Sequence, residues 1–158
     1  MYNIGKIMQK KHKIITISII SVLILIQFIP VDRSNPPIEA TINWDSDTTK
    51  NLFYRACADC HSNETRWPWY SKVAPVSFLI SYDVNVGRKH FNISTVQDDE
   101  RDESAREVRR GTMPMPIYIL MHKDADLNDI EKKQLIQGLI NTFGDKDPLD
   151  LKYKNQYK

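Results

Sequence analysis

Residues 46–61 read SDTTKNLFYRACADCH, and both cysteines of the 158-residue chain fall inside that stretch, three positions apart and followed at once by a histidine. Ser46 or Asp47 offers an N-cap, after which Leu52, Phe53 and Ala56 recur on one stripe at helical spacing. The stretch therefore predicts an amphipathic helix that delivers Cys57, Cys60 and His61 at its C-terminal end.

The segments around it carry the same period. APVSFLISYDVNVGRKHF, residues 74–91, is a second helix candidate, with Pro75 near its start and Gly87 weakening its end. QDDERDESAREVRRG, residues 97–111, is strongly charged and closes on Gly111, a common helix-stopping position. LNDIEKKQLIQGLINTFG, residues 127–144, is the clearest helix: Asn128 caps it, and Ile130, Leu135, Ile136, Leu139 and Ile140 follow at helical spacing before Gly144. No stretch alternates strongly enough to demand a strand, and no internal repeat is present. The fold class read from the sequence is all-α.

At the N-terminus, IITISIISVLILIQFI is apolar from Ile14 to Ile29, and Lys6, Lys10, Lys11 and Lys13 precede it. Sixteen helical residues span about 24 Å, somewhat short of the ~30 Å hydrocarbon core, so a spanning helix must thin the bilayer or use its flanks. The following FIPVDRSNPP has no small-residue cleavage pattern, which favours an uncleaved signal anchor over an exported leader. The basic flank keeps the N-terminus in the cytoplasm and sends the remainder outward. Seven of the 22 basic residues lie outside residues 31–151, whereas all 20 acidic residues lie inside, leaving that portion a net charge of −5. Such a domain lacks the basic footprint of a nucleic-acid binder.

Cys57, Cys60 and His61 form C-x-x-C-H, the attachment spacing of a c-type haem. Two thiols one helical turn apart can add to the two vinyl groups of one porphyrin, and the next residue then reaches the iron as proximal ligand. Other readings of the pair are weaker. A structural zinc would need two further ligands, yet there is no second C-x-x-C, and His12, His90 and His122 show no H-x3-5-H pairing. A redox dithiol usually opens a helix, and here the helix precedes the pair. A disulfide closing so short a loop constrains the unfolded chain little.

A haem iron held by one histidine takes a sixth ligand, and RRGTMPMPIYILMH, residues 109–122, offers Met113, Met115, Met121 and His122. Pro114 and Pro116 keep the M-P-M-P backbone extended, as a loop presenting one thioether requires. Met113 and Met115 project to the same side of an extended chain, so periodicity does not separate them.

Four segments then resemble the bacterial haem-binding domain family, whose members are small membrane-anchored c-type cytochrome-like proteins: QFIPVDRSNPP from Gln27, CADCHSNETRWPWYSKVAPVSFL from Cys57, DVNVGRKHFNIS from Asp83 and GTMPMPIYILMHKDADL from Gly111. The similarity runs from Gln27 to the last helix and departs from the family pattern at Phe78 and Ile93, where tryptophan and phenylalanine are favoured. It implies one covalent haem c, with Cys57 and Cys60 as thioether sites, His61 as proximal iron ligand and Met113, in the G-x-M-P segment, as the distal one. It also implies a cytochrome c-like layout in which the closing helix packs across the first, and an inner-membrane protein whose haem domain faces the periplasm.

The domain organisation expected from these features is a signal anchor over 1–30, a polar proline-containing linker over 31–43, a haem domain over 44–148 and a polar tail over 149–158. The function expected is single-haem electron transfer with redox partner proteins rather than enzymatic turnover. A haem-based gas sensor or a peroxidase-like protein with a displaceable distal ligand is the alternative. Among the remaining residues, Trp67, Trp69 and Tyr70 read as core that includes the haem, while Arg66 and Arg88 are candidates for pairing with propionates. His90 reads as a surface or structural residue, and Asp98, Asp99, Glu100, Asp102 and Glu103 form an acidic face suited to a basic partner.

Overall fold

The computed structural model describes residues 2–96 and 100–146, and within them all regular structure is helical. Seven α-helices occur among the described residues: α1 (Tyr2–Leu25), α2 (Asp47–Ala56), α3 (Ala58–His61), α4 (Val76–His90), α5 (Ser104–Arg110), α6 (Pro116–Met121) and α7 (Asp129–Phe143). The chain divides into two compact units, one of residues 1–34 and 67–82, the other of residues 35–66 and 83–158. The tail expected over 149–158, with Asp98 and Asp99 of the acidic face, lies outside the described residues.

In the first unit, α1 runs into a 3₁₀ turn at Ile26–Phe28, and Lys6–Phe28 forms one helical stretch apolar enough to cross a membrane. Gln27 ends that stretch with a paired contact: its Nε2 donates to the Ala74 carbonyl at 3.0 Å, and its Oε1 accepts from the Ala74 N–H at 3.0 Å. Nearby, the Arg33 guanidinium donates to the Ser71 carbonyl, and the Ser81 hydroxyl to the Asp32 carbonyl at 2.7 Å.

The second unit is organised by α2 and α7. Ser46 caps α2 by accepting from the Thr49 N–H, and Asn128 with Glu131 forms a reciprocal capping box on α7. The helices meet at Gly138, where an added Cβ would lie 1.8 Å from Thr49 Oγ1, so only glycine lets the two backbones approach so closely. Phe53, Leu135 and Leu139 are fully buried beside this crossing, with Ala105 and Val108 of α5 and Phe91 and Ile93 completing the core. Trp44 stacks at a tilt on Phe53 and edge-on against Phe143. Ile130, expected on the apolar stripe, is instead 70% exposed at the solvated start of α7. Gly111 closes α5 at φ 72°, in the left-handed region that glycine adopts at low cost. Pro116 does not extend the M-P-M-P loop but opens α6, where its missing N–H costs nothing. Gly87, expected to weaken α4, lies within it.

Candidate functional site

The helix α2 ends at Ala56, and the chain turns at Cys57 into the single turn α3 that carries Cys60 and His61. Backbone bonds from Cys60 and His61 N–H to the Cys57 carbonyl, at 3.1 and 3.0 Å, hold the three residues together. Behind them lies α4: a Cβ on Gly87 would stand 2.6 Å from the Cys60 carbonyl oxygen, so this helix backs directly onto the motif. His61 is buried and stacks on Phe91, with ring centroids 4.1 Å apart and planes 13° from parallel. Its Nδ1 lies 3.1 Å from the Phe91 carbonyl. A carbonyl only accepts, so Nδ1 carries the proton and the ring's lone pair resides on Nε2, the tautomer of a metal-ligating imidazole with an oriented second nitrogen.

These residues open onto a cavity of about 410 Å³, within the roughly 300–1,000 Å³ of small-molecule and cofactor sites. Cys57, Cys60 and His61 line it together with Met113, Pro114 and Met115, while Phe53, Ala56, Val86, Phe91, Val108 and Leu139 supply apolar wall. The structure thus brings the C-x-x-C-H motif and both methionines of the M-P-M-P loop to one cavity. It does not bring His122 or Met121 there: His122 stacks on Tyr118, and Met121 is exposed. His90, read as a surface or structural residue, is exposed and also lines the cavity, with Nδ1 2.6 Å from Glu100 Oε2.

Burial pushes the Cys57 thiol up to about 12, with Cys60 adding to the effect. The Cys60 thiol is likewise pushed up to about 12 by burial, and the charges of Asp59 and Asp83 add to it. Among the described residues, no three His, Cys, Asp or Glu side chains converge as a metal-binding group. Asp83, Glu100, Glu103 and Glu107 also line the cavity, whose surface is otherwise mostly apolar, and its two thiols, oriented imidazole and two thioethers are a donor set that fits a haem.

Arg66 and Arg88, the candidates for propionate partners, are engaged elsewhere. Arg66 forks onto Asp59, with Nε 3.1 Å from Oδ1 and Nη2 3.1 Å from Oδ2. Arg88 donates from Nε to the Ser62 carbonyl at 2.9 Å and from Nη2 to Thr65 Oγ1 at 3.0 Å. Neither lines the cavity; Arg106 does, held between Glu103 and Glu107. Trp67, Trp69 and Tyr70 also lie outside the lining, and Trp69 is 75% exposed, so the core role expected for it does not hold.

The residue that sequence reasoning passed over is Asp59, the second spacer of the motif. It is buried, and besides Arg66 it accepts from the Arg66 N–H at 2.9 Å and from the Tyr118 hydroxyl at 2.7 Å. Tyr118 belongs to α6, which begins one residue after Met115, so a single carboxylate ties the cysteine motif to the methionine loop. A second network staples the segment after His61: Ile93 N–H donates to the His61 carbonyl, Asn63 N–H to Ser94 Oγ, and Asn92 to Asn63 Oδ1. The only sequence signal for it was the run of small polar residues in SNET and NIS.

A family model described as a haem-binding domain matches residues 21–141 of the chain. No curated protein and no solved structure matches it.

Proposed function

The chain belongs to the haem-binding domain family, and from that premise we propose that it is a membrane-anchored, single-haem c-type electron carrier. Cys57 and Cys60 would hold the haem through thioethers, and His61 Nε2 and the Met113 thioether would ligate its iron. When bound, the haem supplies a one-electron iron couple. The protein's own part is to fix that couple's surroundings. Phe91 holds the His61 ring and tautomer through its carbonyl and its stacked face, which keeps the proximal ligand from rotating. The Met113 thioether is a soft ligand that favours the reduced iron and raises the potential. Apolar walls limit water and hence the reorganisation that accompanies electron transfer.

The observation that supports this reading best is the convergence of Cys57, Cys60, His61 and Met113 on one cavity. Met113 is preferred to Met115 because it stands two residues after Gly111, whose left-handed backbone turns the chain out of α5. Helix α1 anchors the carrier, its basic flank staying in the cytoplasm and its haem domain facing the periplasm.

Expression beside a cytochrome c maturation system should give a band that stains for haem after denaturing electrophoresis, and no band should appear when both cysteines are alanine. Met113→Ala should lose the sulfur-to-iron charge-transfer band of the oxidised protein and bind carbon monoxide when reduced, whereas Met115→Ala should keep the band. The reverse outcome transfers the ligand to Met115 and leaves the carrier intact. Rapid carbon monoxide binding by the unmodified protein would overturn electron transfer in favour of gas sensing or peroxide chemistry.

A further inference from the structure

Within the unit of residues 1–34 and 67–82, several hydroxyls are buried while a row of apolar side chains is exposed. Ser71, Ser77 and Ser81 are buried, whereas Val73, Val76, Leu79 and Tyr82 are between 43% and 66% exposed and Trp69 is 75% exposed. The three-residue spacing of Val76, Leu79 and Tyr82 places them on one face of α4. A helix solvated by water arranges these residue types the other way round.

The same unit contains α1. The two hydrogen bonds between Gln27 and Ala74, with Ser81 on the Asp32 carbonyl, fix the apolar row to the end of the membrane-spanning stretch. There Phe28 and Ile29 are exposed as well. The stretch Lys6–Phe28 that could cross a membrane ends at these residues.

We propose that Trp69, Val73, Val76, Leu79 and Tyr82 form a lipid-contacting platform, seated in the interfacial layer of the membrane that α1 crosses, on the leaflet where the rest of the chain lies. Lipid is the occupant the chemistry selects. Tryptophan and tyrosine concentrate at the headgroup level, the aliphatic row matches acyl chains, and the exposed Lys72 beside Val73 suits lipid phosphates. Hydroxyls facing inward and apolar groups facing outward are the expected order for a helix lying on a membrane. This inference rests on α1 being a retained membrane span.

The test uses the full-length haem protein reconstituted in phosphatidylethanolamine and phosphatidylglycerol vesicles, either plain or with bromine on the acyl-chain carbons nearest the headgroups. Bromine quenches tryptophan only on contact. The unmodified protein should be dimmer in brominated vesicles, and that difference should shrink at least about threefold in Trp69→Phe. Circular dichroism should show the helix content of the variant unchanged. Leu79→Asp, on the same exposed face, should weaken the quenching of Trp69 without changing helix content. An anchored protein whose emission is equal in both vesicle types overturns the platform, whether a second copy or another protein covers the row. Release of the protein by alkaline extraction overturns the anchor itself, which separates the two failures.

Discussion

Asp59 shows how much one spacer residue can carry. Its carboxylate meets the Arg66 fork, the Arg66 N–H and the Tyr118 hydroxyl, all of them donors, so an anion fits and an amide does not. Asp59→Asn keeps the shape but turns two N–H groups toward donors. The expected cost is about 2–3 kcal/mol in denaturant unfolding, at or below the ~3–5 kcal/mol of a fully buried broken pair, because Arg66 is 59% exposed and water screens its charge. Tyr118→Phe removes one hydrogen bond and should cost about 1 kcal/mol. Both variants release α6 from the cysteine motif, so both should let carbon monoxide compete better with the methionine ligand. Unchanged carbon monoxide kinetics with lowered stability would confine Asp59 to a structural role.

At the scale of elements, α4 sets the back of the site through Gly87. Helix propensity alone predicts that Gly87→Ala stabilises by roughly 1 kcal/mol. Packing predicts the opposite sign, since the new Cβ would meet the Cys60 carbonyl oxygen at 2.6 Å, a backbone atom that cannot swing aside. We expect a net loss of about 1–3 kcal/mol and a lower yield of haem-stained protein, measured by thermal unfolding and by the haem stain. The helix ends show where the sequence was legible. Caps at Ser46, Asn128 and Gly111 act within a few residues of themselves, so local pattern revealed them. The pairing of Arg66 with Asp59 and of Arg88 with Ser62 depends on which surfaces tertiary packing brings together, and nothing local to either arginine encodes it. C-x-x-C-H and M-P-M-P were legible as chemistry, while their meeting at one cavity was not. Trp69 misled for a related reason: an apolar side chain reads as core in a sequence whether or not tertiary packing covers it, and here it is 75% exposed.

At the scale of the molecule, charge and hydropathy are sorted along the chain: a basic N-terminal flank, an apolar span, then an acidic portion with a net charge of −5 over residues 31–151. That order predicts a retained anchor with its C-terminal side outside the cytoplasm. Intact-mass measurement of membrane-extracted protein should include residues 1–30, and protease added to spheroplasts should digest the chain beyond Pro30. A mature form starting past Pro30 would make the apolar run a cleaved leader. The paired hydrogen bonds of Gln27 to Ala74 give this anchor a rotational register. One extra residue ahead of Gln27 would swing its amide about 100° around the helix axis and pull it off Ala74. Helix α1 is therefore keyed to residues 67–82 as a shaft is keyed to its wheel, and its sequence cannot be lengthened one residue at a time without turning or breaking that joint.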